Sequence, residues 1–233
     1  MKQSLLLLLL AVRLFGRDWR AGEMRILFVA LIVAVASVTT VSFFAERVAS
    51  AIVRESNQLL GGDLVIVSAW PIEQTYFDKA EDEQLRTSHS VRFRSMAQAQ
   101  NDFLLTEVRA VGKGYPLRGQ LRIRTANDDA GFSPDNIPQA GNVWVDARLM
   151  RRLGLSFGKP LTLGDRRFTV AALLGEDPEA SAGFLNLAPR LLMNEVDLAS
   201  TGLIVEGSRA RYRLYVAGSE NSVDAFGAFA QEH

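Results

Sequence analysis

The stretch that decides the fold is ILFVALIVAVASVTTVSFFA, residues 26–45, which runs for twenty residues without a charged side chain. At about 1.5 Å of rise per residue, a helix over this stretch would cover roughly 30 Å, the thickness of the hydrocarbon layer of a bilayer. Because backbone amides have no water to bind in that layer, the stretch should be helical despite its β-branched residues. The sequence therefore predicts one transmembrane helix near the N-terminus.

Basic residues flank the apolar stretch unevenly and predict its orientation. Those before it are Lys2, Arg13, Arg17, Arg20 and Arg25, whereas only Arg47 and Arg54 follow it closely. The positive-inside rule then places the N-terminus in the cytoplasm and the residues after about 46 on the far side. A cleaved signal peptide is the alternative, because Ala34-Val35-Ala36 resembles a cleavage site. The apolar residues that continue beyond it favour a retained anchor.

Residues 1–22 have the pattern of an amphipathic helix at the membrane surface. One face carries three apolar residues and the opposite face three arginines: Val12, Phe15 and Trp19, and Arg13, Arg17 and Arg20. Such a helix rests in the headgroup region, with tryptophan at the interface and arginine toward water or anionic lipid. A cytoplasmic helix that packs on a partner is the alternative interpretation.

The helical pattern continues past the predicted span. Val48, Ile52 and Leu59 keep a helical stripe, and Gly61-Gly62 is typical of a C-terminal stop. One helix over residues 23–60 would be roughly 57 Å long, so about 20 Å would extend past the bilayer. We expect this extension to be a stiff stalk.

Residues 61–233 combine strand and helix signals, which predicts an α+β fold beyond the helix. Strands are predicted at 63–67, 91–96, 103–111, 142–146, 160–163, 167–174 and 211–217, with a further apolar run at 187–193. Helices are predicted at 72–86, at 147–153 after the cap Asp146, after Asn194 as far as Gly202, and from 223 to 229. Residues 126–141 are predicted to be a polar loop.

Composition excludes several classes of function. The chain has 26 basic and 26 acidic residues, which argues against binding to nucleic acid. It has no cysteine and only His89 and His233, so thiolate and histidine-cluster metal sites are excluded. No nucleophile elbow is present either. We therefore predict no enzyme activity, no catalytic residues, no metal site and no cofactor.

Four weaker patterns have simpler explanations than a binding site. Residues 154–159 slightly resemble a phosphate loop, but the glycine spacing is short and Pro160 stands where Ser or Thr is needed. Loop solvation explains the acidic turns at 127–129 and 176–179 better than metal binding. For the arginines on one face of the last strand, a solvated sheet edge is favoured over an anion site. These are Arg209, Arg211 and Arg213.

Six short segments, taken in order, resemble a known family. They are Arg20-Ala21-Gly22-Glu23, Gln58-Leu59-Leu60-Gly61-Gly62-Asp63-Leu64-Val65, Tyr115-Pro116-Leu117-Arg118-Gly119, Val143-Trp144-Val145-Asp146, Leu191-Leu192-Met193-Asn194 and Thr201-Gly202-Leu203-Ile204. Together they are similar to the N-terminal part of FtsX-like ABC transporter permeases with a MacB-like periplasmic core domain. Each segment alone is weak, whereas the ordered set is fairly specific.

The resemblance implies a fold, partners and a location. Residues 61–233 would form a two-lobed periplasmic domain, with a porter-like lobe at 63–112 and 203–233 and a β-rich insertion at 113–202. The chain would sit in the bacterial inner membrane and work with a separate cytoplasmic ATPase that binds the ATP. A periplasmic partner, and a lipid or lipoprotein substrate, are further implied partners.

One span cannot line a transport pathway, so the resemblance also predicts that these residues are the N-terminal piece of a longer permease, ending inside a helix. The main alternative function is a single-span sensor or scaffold whose outer domain binds a ligand or protein. A membrane-anchored hydrolase is a third class, and it lacks a nucleophile and a base.

Overall fold

The computed structural model describes residues 23–175, 177, 188–205 and 207–232. By contacts the chain divides into two units, Met1–Arg54 and Glu55–His233, each taken by itself below. The amphipathic helix predicted for residues 1–22 lies outside the described residues.

Helix α1 spans Glu23–Leu60, 38 residues without a break, which confirms the predicted helix. Its apolar side chains are exposed on every side, and this is the one helix in the described residues that is long and apolar enough to cross a membrane. Its hydroxyls bind within the helix: Ser37 and Thr39 each donate to the carbonyl four residues earlier at 2.7 Å. The helix therefore satisfies its own polar groups, as a span through hydrocarbon must.

Ten strands in the described part of the second unit form one sheet. They are β1 Leu64–Ser68, β2 Arg86–Ala99, β3 Asp102–Val111, β4 Ile123–Thr125, β5 Asp128–Phe132, β6 Asn142–Asp146, β7 Pro160–Leu163, β8 Arg166–Leu174, β9 Arg190–Asn194 and β10 Arg211–Ala217. The strand order is β1-β10-β2-β3-β9-β6-β8-β4-β5, and β7 pairs with both β2 and β8. Two neighbouring pairs, β3–β9 and β6–β8, are parallel and the others are antiparallel.

The described part of the second unit also contains three helices and two 3-10 turns: α2 Gln74–Asp82, α3 Ala147–Arg152, α4 Glu220–Glu232 after the last strand, and the turns Glu195–Asp197 and Ala199–Thr201. The predicted caps are confirmed. Asp146 accepts from the Leu149 amide at 2.8 Å, and Asn194 accepts from the Val196 amide at 3.1 Å. Gly202 has a φ of 65° and ends the second turn.

Three apolar clusters hold the domain together. The largest lies between α3 and the sheet and includes Phe93, Val108, Leu149, Leu163 and Phe168. A second contains Tyr115, Trp144, Leu192 and Tyr215. The third packs α2 and α4 against β1 and β10 through Ala80, Leu214, Val216 and Phe226.

Three predicted elements are wrong in extent, and the first is the strand predicted at 91–96, which spans Arg86–Ala99. The helix predicted at 72–86 ends at Asp82, and Arg86 already begins β2 because it pairs with Ala217 of β10. The loop predicted at 126–141 contains β5, which pairs with β4. Asp128 accepts amide hydrogens from Ala130 and Gly131, so short-range turn chemistry forms a hairpin that has little apolar pattern.

The mixed α/β fold with an N-terminal apolar helix is as predicted. The described sheet is continuous, since β3 pairs with β9 and β2 pairs with β7 across the proposed lobe boundaries. The division into lobes at 63–112 with 203–233 and at 113–202 stays a prediction.

Candidate functional site

The end of α1 is built into the second unit by backbone hydrogen bonds. Gly61 has a φ of 78°, which favours glycine, and its amide donates to the Asn57 carbonyl at 3.1 Å. The Gly61 carbonyl then accepts from the amides of Leu117 and Arg118, at 3.0 and 3.1 Å. The chain thus turns directly from the helix into a contact with a loop more than fifty residues away.

A cluster of polar groups surrounds Asp63 just after this turn. Arg118 donates from Nε to Oδ1 at 2.8 Å and from Nη2 to Oδ2 at 2.7 Å, a two-pronged ion pair. Asn57 Nδ2 in the last turns of α1 donates to Oδ1 at 3.1 Å, and the Gly218 amide donates to Oδ2 at 3.1 Å. We call Asn57, Asp63, Arg118 and Gly218 the Asp63 cluster. One carboxylate therefore joins the helix end, the 115–119 loop and the end of β10.

Electrostatics favour the charged form of this cluster. The hydrogen bond from Arg118 is the main cause that lowers the pKa of Asp63 below its ordinary value of 3.8, against the opposing effect of burial. The same bond raises the pKa of Arg118. The Asp63 side chain is 14% exposed and that of Arg118 38%, so solvent screens part of the attraction.

A second, more buried polar group lies behind the 115–119 loop. Arg109 Nη1 donates to Asp177 Oδ1 at 2.9 Å and to the Tyr115 hydroxyl at 2.7 Å. Arg190 Nη1 approaches Asp177 Oδ2 at 3.4 Å. The Arg109 and Asp177 side chains are 5% and 1% exposed, so each charge depends on the other for its solvation. Through its hydrogen bond with Arg109, Tyr115 thus anchors the loop that contacts Gly61.

Two predictions made for charged residues need correction. Loop solvation does not explain Asp177, which is buried against Arg109. Of the three arginines, Arg213 does not lie on a sheet edge, since β10 lies between β1 and β2 there, whereas Arg211 pairs only with β2 and Arg209 precedes the strand. Arg209 and Arg211 are exposed, and Arg213 is half-buried.

The remaining residues singled out in the sequence are scattered. His89 Nε2 contacts the carboxylate of Glu195, and the imidazole ring lies edge-on to Phe77. Asn127 is part of the tight turn between β4 and β5. Residues 176, 178, 179 and 233 lie outside the described part of the chain. Among the residues that the structure describes, no group of three potential ligands is placed to hold a metal ion.

The sequence did not predict the Asp63 cluster, although two of its members, Asp63 and Arg118, lie in segments that carry the family resemblance. Asp63 closes the glycine turn after α1 and Arg118 lies in the Tyr115–Gly119 segment. The available signal was the opposite charge of these two residues. Nothing in their spacing indicates that they meet.

The chain matches proteins of known family. Residues 26–228 match the MacB-like periplasmic core domain. The chain is 30% identical over 214 residues to the uncharacterized ABC transporter permease YbbP of Escherichia coli K12, a match that covers 92% of this chain and 26% of YbbP. The chain therefore spans about a quarter of the length of that relative.

Two solved structures match part of the chain. The extracellular domain of the noncanonic ABC-type transporter YknZ from Gram-positive bacteria has a TM-score of 0.48 at 10% identity, covering 70% of this chain and 89% of that one. The periplasmic region of MacB from Actinobacillus actinomycetemcomitans has a TM-score of 0.43 at 13% identity, covering 67% and 72%. The match to the family over residues 26–228 decides the assignment: the chain belongs to the family of the MacB-like periplasmic core domain.

Proposed function

We propose that the chain is the N-terminal part of an ABC transporter permease subunit of the MacB-like type. A separate cytoplasmic ATPase would bind and hydrolyse ATP, and α1 would carry the resulting movement to the periplasmic domain. That movement would extract or export an amphipathic substrate. The proposal extends to this chain the class, ABC transporter permease, that is given for its uncharacterized relative YbbP.

The observation that carries the proposal is the connection between an unbroken helix and the domain. Helix α1 runs for 38 residues, and Asn57 in its last turns binds Asp63, which also binds Arg118 and the Gly218 amide. A continuous helix is stiff over a few turns. A displacement of its C-terminal end therefore acts on β10 and on the 115–119 loop at once.

The exposed apolar surface of α1 supports a location in the inner membrane. Residues such as Ile26 and Phe44 are 72% and 68% exposed, which is favourable in hydrocarbon or against further helices and costly in water. The excess of basic residues before the span supports an N-terminus in the cytoplasm and a periplasmic domain. Protease added to intact spheroplasts should digest residues beyond 60 and leave residues 1–22 intact.

The packing of the second unit supports the proposed porter-like lobe. Strands β1, β10, β2 and β3 are neighbours in the sheet, and α2 and α4 both pack on one face of β1 and β10. These elements come from residues 63–112 and 203–233. The proposed insertion, 113–202, contains β4 to β9 and α3.

Co-purification tests the partner. The full-length permease, extracted in mild detergent, should bring with it a P-loop ATPase whose activity depends on the permease. Repeated recovery of the permease alone would contradict the proposal and favour a single-span sensor or scaffold.

A helix break tests the coupling. Ala51→Pro removes one backbone hydrogen bond from α1 and introduces a steric clash, at about 3 kcal/mol. We expect ATP hydrolysis to continue while substrate movement stops, with Ala51→Ser as the matched control that keeps the helix. Unchanged export by the proline variant would reject coupling through the helix.

A further inference from the structure

One face of the sheet carries a row of side chains that changes from apolar to cationic. Phe103 of β3 lies opposite Gln98 of β2, Gln98 lies opposite Thr162 of β7, and Thr162 lies opposite Arg167 of β8. Directly opposite residues in antiparallel strands point to the same face. At about 4.8 Å between strands, the row from Phe103 to Arg167 is about 14 Å long.

Burial of the alternating residues in the core determines which face of the sheet the side chains of this row occupy. Ala97 and Leu163, which alternate with members of the row, are both completely buried in the largest apolar cluster. Their neighbours in sequence must therefore point away from that cluster. The row lies on the outer face of the sheet.

The end of the row at β3 is apolar and uncovered among the described residues. Met96 lies opposite Leu105, next to the pair of Gln98 and Phe103. Met96, Leu105 and Phe103 are 47%, 49% and 59% exposed. Three large apolar side chains together on an outer face indicate a surface that contacts something other than water.

The other end of the row borders a cleft of about 510 Å³. Its lining includes Gln98 and Thr162 of the row, Gly154 and Leu155 after α3, and the cations Lys159 and Arg167. No carboxylate is among the described residues that line it. Both cations are exposed, and the described residues place no ion-pair partner beside them.

The charge around the cleft is one-sided. Residues 147–173 contain six basic residues and one acidic residue. Two of the six, Arg148 and Arg166, form ion pairs with Asp146 and Asp197. Lys159 and Arg167 are thus left to attract an external anion, and hydrogen-bond donors from Gln98 and Thr162 lie between them and the apolar end.

We propose that this face binds one anionic lipid molecule, with its phosphate headgroup in the cleft at Lys159 and Arg167 and its acyl chains over Met96, Phe103 and Leu105. The amphipathic order of the row matches a ligand with a charged end and an apolar end. Arginine and lysine are the side chains that best bind phosphate oxygens. This assignment names the substrate class of the proposed permease, and its role in transport rests on that proposed function.

Binding by the 233-residue chain in phosphatidylcholine nanodiscs tests the assignment. The probes are dihexanoylphosphatidic acid below its micellar concentration, dihexanoylphosphatidylcholine and inorganic phosphate, each followed by calorimetry. We expect saturable binding of the phosphatidic acid, with affinity at least tenfold weaker for the two other probes. A short-chain lipid in solution distinguishes capture of a single molecule from attraction to a membrane surface.

Two double variants separate the two ends of the site. Lys159→Gln with Arg167→Gln should weaken phosphatidic acid binding at least tenfold. Met96→Ser with Phe103→Ser should weaken it severalfold while leaving the weak binding of inorganic phosphate unchanged. Arg86→Gln with Arg211→Gln removes two exposed cations from the same sheet outside the cleft, and should leave binding within twofold of wild type.

Three results would overturn the assignment: no saturable binding of phosphatidic acid, equal binding of inorganic phosphate, or equal loss in the Arg86 and Arg211 control. A variant that loses the cooperative thermal transition of the wild type is replaced by the corresponding single substitution. None of these measurements needs an ATPase or transport. A failed lipid site and a failed permease assignment are therefore distinguishable.

Discussion

The apolar stretch of α1 and the interior of the sheet contain similar side chains in opposite surroundings. Val35 in the helix is 58% exposed, whereas Val108 in β3 and Leu163 in β7 are completely buried. In the helix apolar residues point in every direction into open surroundings, whereas strands such as β6 and β9 bury consecutive apolar residues on both faces of the sheet. The sheet therefore builds its own core, and the helix depends on an apolar environment supplied from outside.

The comparison teaches that the two regions obtain their stability from different sources. The sheet gains free energy by removing its side chains from water, and each buried residue depends on close packing with its neighbours. The helix gains free energy by entering hydrocarbon, where its backbone hydrogen bonds are already complete. Substitutions in the two regions should consequently be detected by different measurements.

The largest expected effect is a cavity in the core of the sheet. Phe168→Ala removes a ring that is 1% exposed, and should lower the free energy of unfolding by about 3–5 kcal/mol. Urea unfolding in detergent measures the loss. Phe132→Ala removes the same ring from a strand position that is 42% exposed, and a comparable loss there would contradict the assigned burial.

The next largest expected effect comes from a charge placed in the middle of the apolar stretch. Val35→Arg should disfavour membrane insertion by about 2.5–3.5 kcal/mol, and leave the unfolding of the sheet domain unchanged. The fraction of protein that resists alkaline carbonate extraction is the measurement, with Val35→Leu as control. If the arginine variant resists extraction as wild type does, residues 26–45 do not lie in hydrocarbon.

The Asp63 cluster joins the last turns of α1 to the sheet within the second unit, and removing its charge should have a smaller effect than the two substitutions above. Asp63→Asn keeps the shape but removes the charge that accepts two hydrogen bonds from Arg118, at about 1–2 kcal/mol after allowance for solvent screening. Thermal unfolding measures the change. Asp135→Asn alters an exposed carboxylate with no described partner, and an equal effect there would remove any special role of Asp63.

The same cluster predicts an acid dependence. The pKa of Asp63 is lowered in the folded protein by Arg118, so its contribution to stability is fully present above the unfolded value near 3.8. This contribution to stability is lost as the pH falls through the lowered pKa of Asp63 in the folded protein. The difference in stability between wild type and Asp63→Asn should therefore be constant above about pH 5 and shrink below about pH 4. A constant difference down to pH 2 would contradict the ion pair.

The smallest expected effect is the loss of a helix cap inside the sheet domain. Asp146→Ala removes the acceptor for the Leu149 amide and should lower the free energy of unfolding by about 1 kcal/mol. Asp146→Asn keeps a hydrogen-bond acceptor and should lower the free energy of unfolding by only about a few tenths of a kcal/mol. Equal losses in the two variants would show that the charge of Asp146, through Arg148, matters more than the cap.

Local patterns predicted those elements whose signals lie within a few residues. The helix bounds, the caps at Asp146 and Asn194 and the hairpin of β7 and β8 depend on side chains next to the groups they bind. The helix at 72–86 was predicted too long. The helix ends locally where Gln84 adopts a φ of 56° and the Leu85 amide donates to the Ala80 carbonyl, and the pairing of Arg86 with the distant Ala217 then begins β2.

In the candidate site, too, the sequence indicated the local segments, and only the fold created the contacts between them. The family resemblance drew attention to the segments around Asp63 and Arg118, but their 2.7 Å contact depends on how β1, β10 and the 115–119 loop meet. The row from Phe103 to Arg167 is likewise created by the register of four strands. No spacing along the chain reports that register.

By itself the sequence determined the long apolar helix, its orientation signals, the mixed domain after it and the absence of recognisable catalytic motifs. These follow from composition and short-range periodicity, which act through neighbouring residues. Only the tertiary structure decided that Asp63 joins three segments, that Asp177 is buried against Arg109, and that an apolar patch lies beside a cationic cleft. Such contacts depend on strand order and register, and these are settled by the packing of the whole domain.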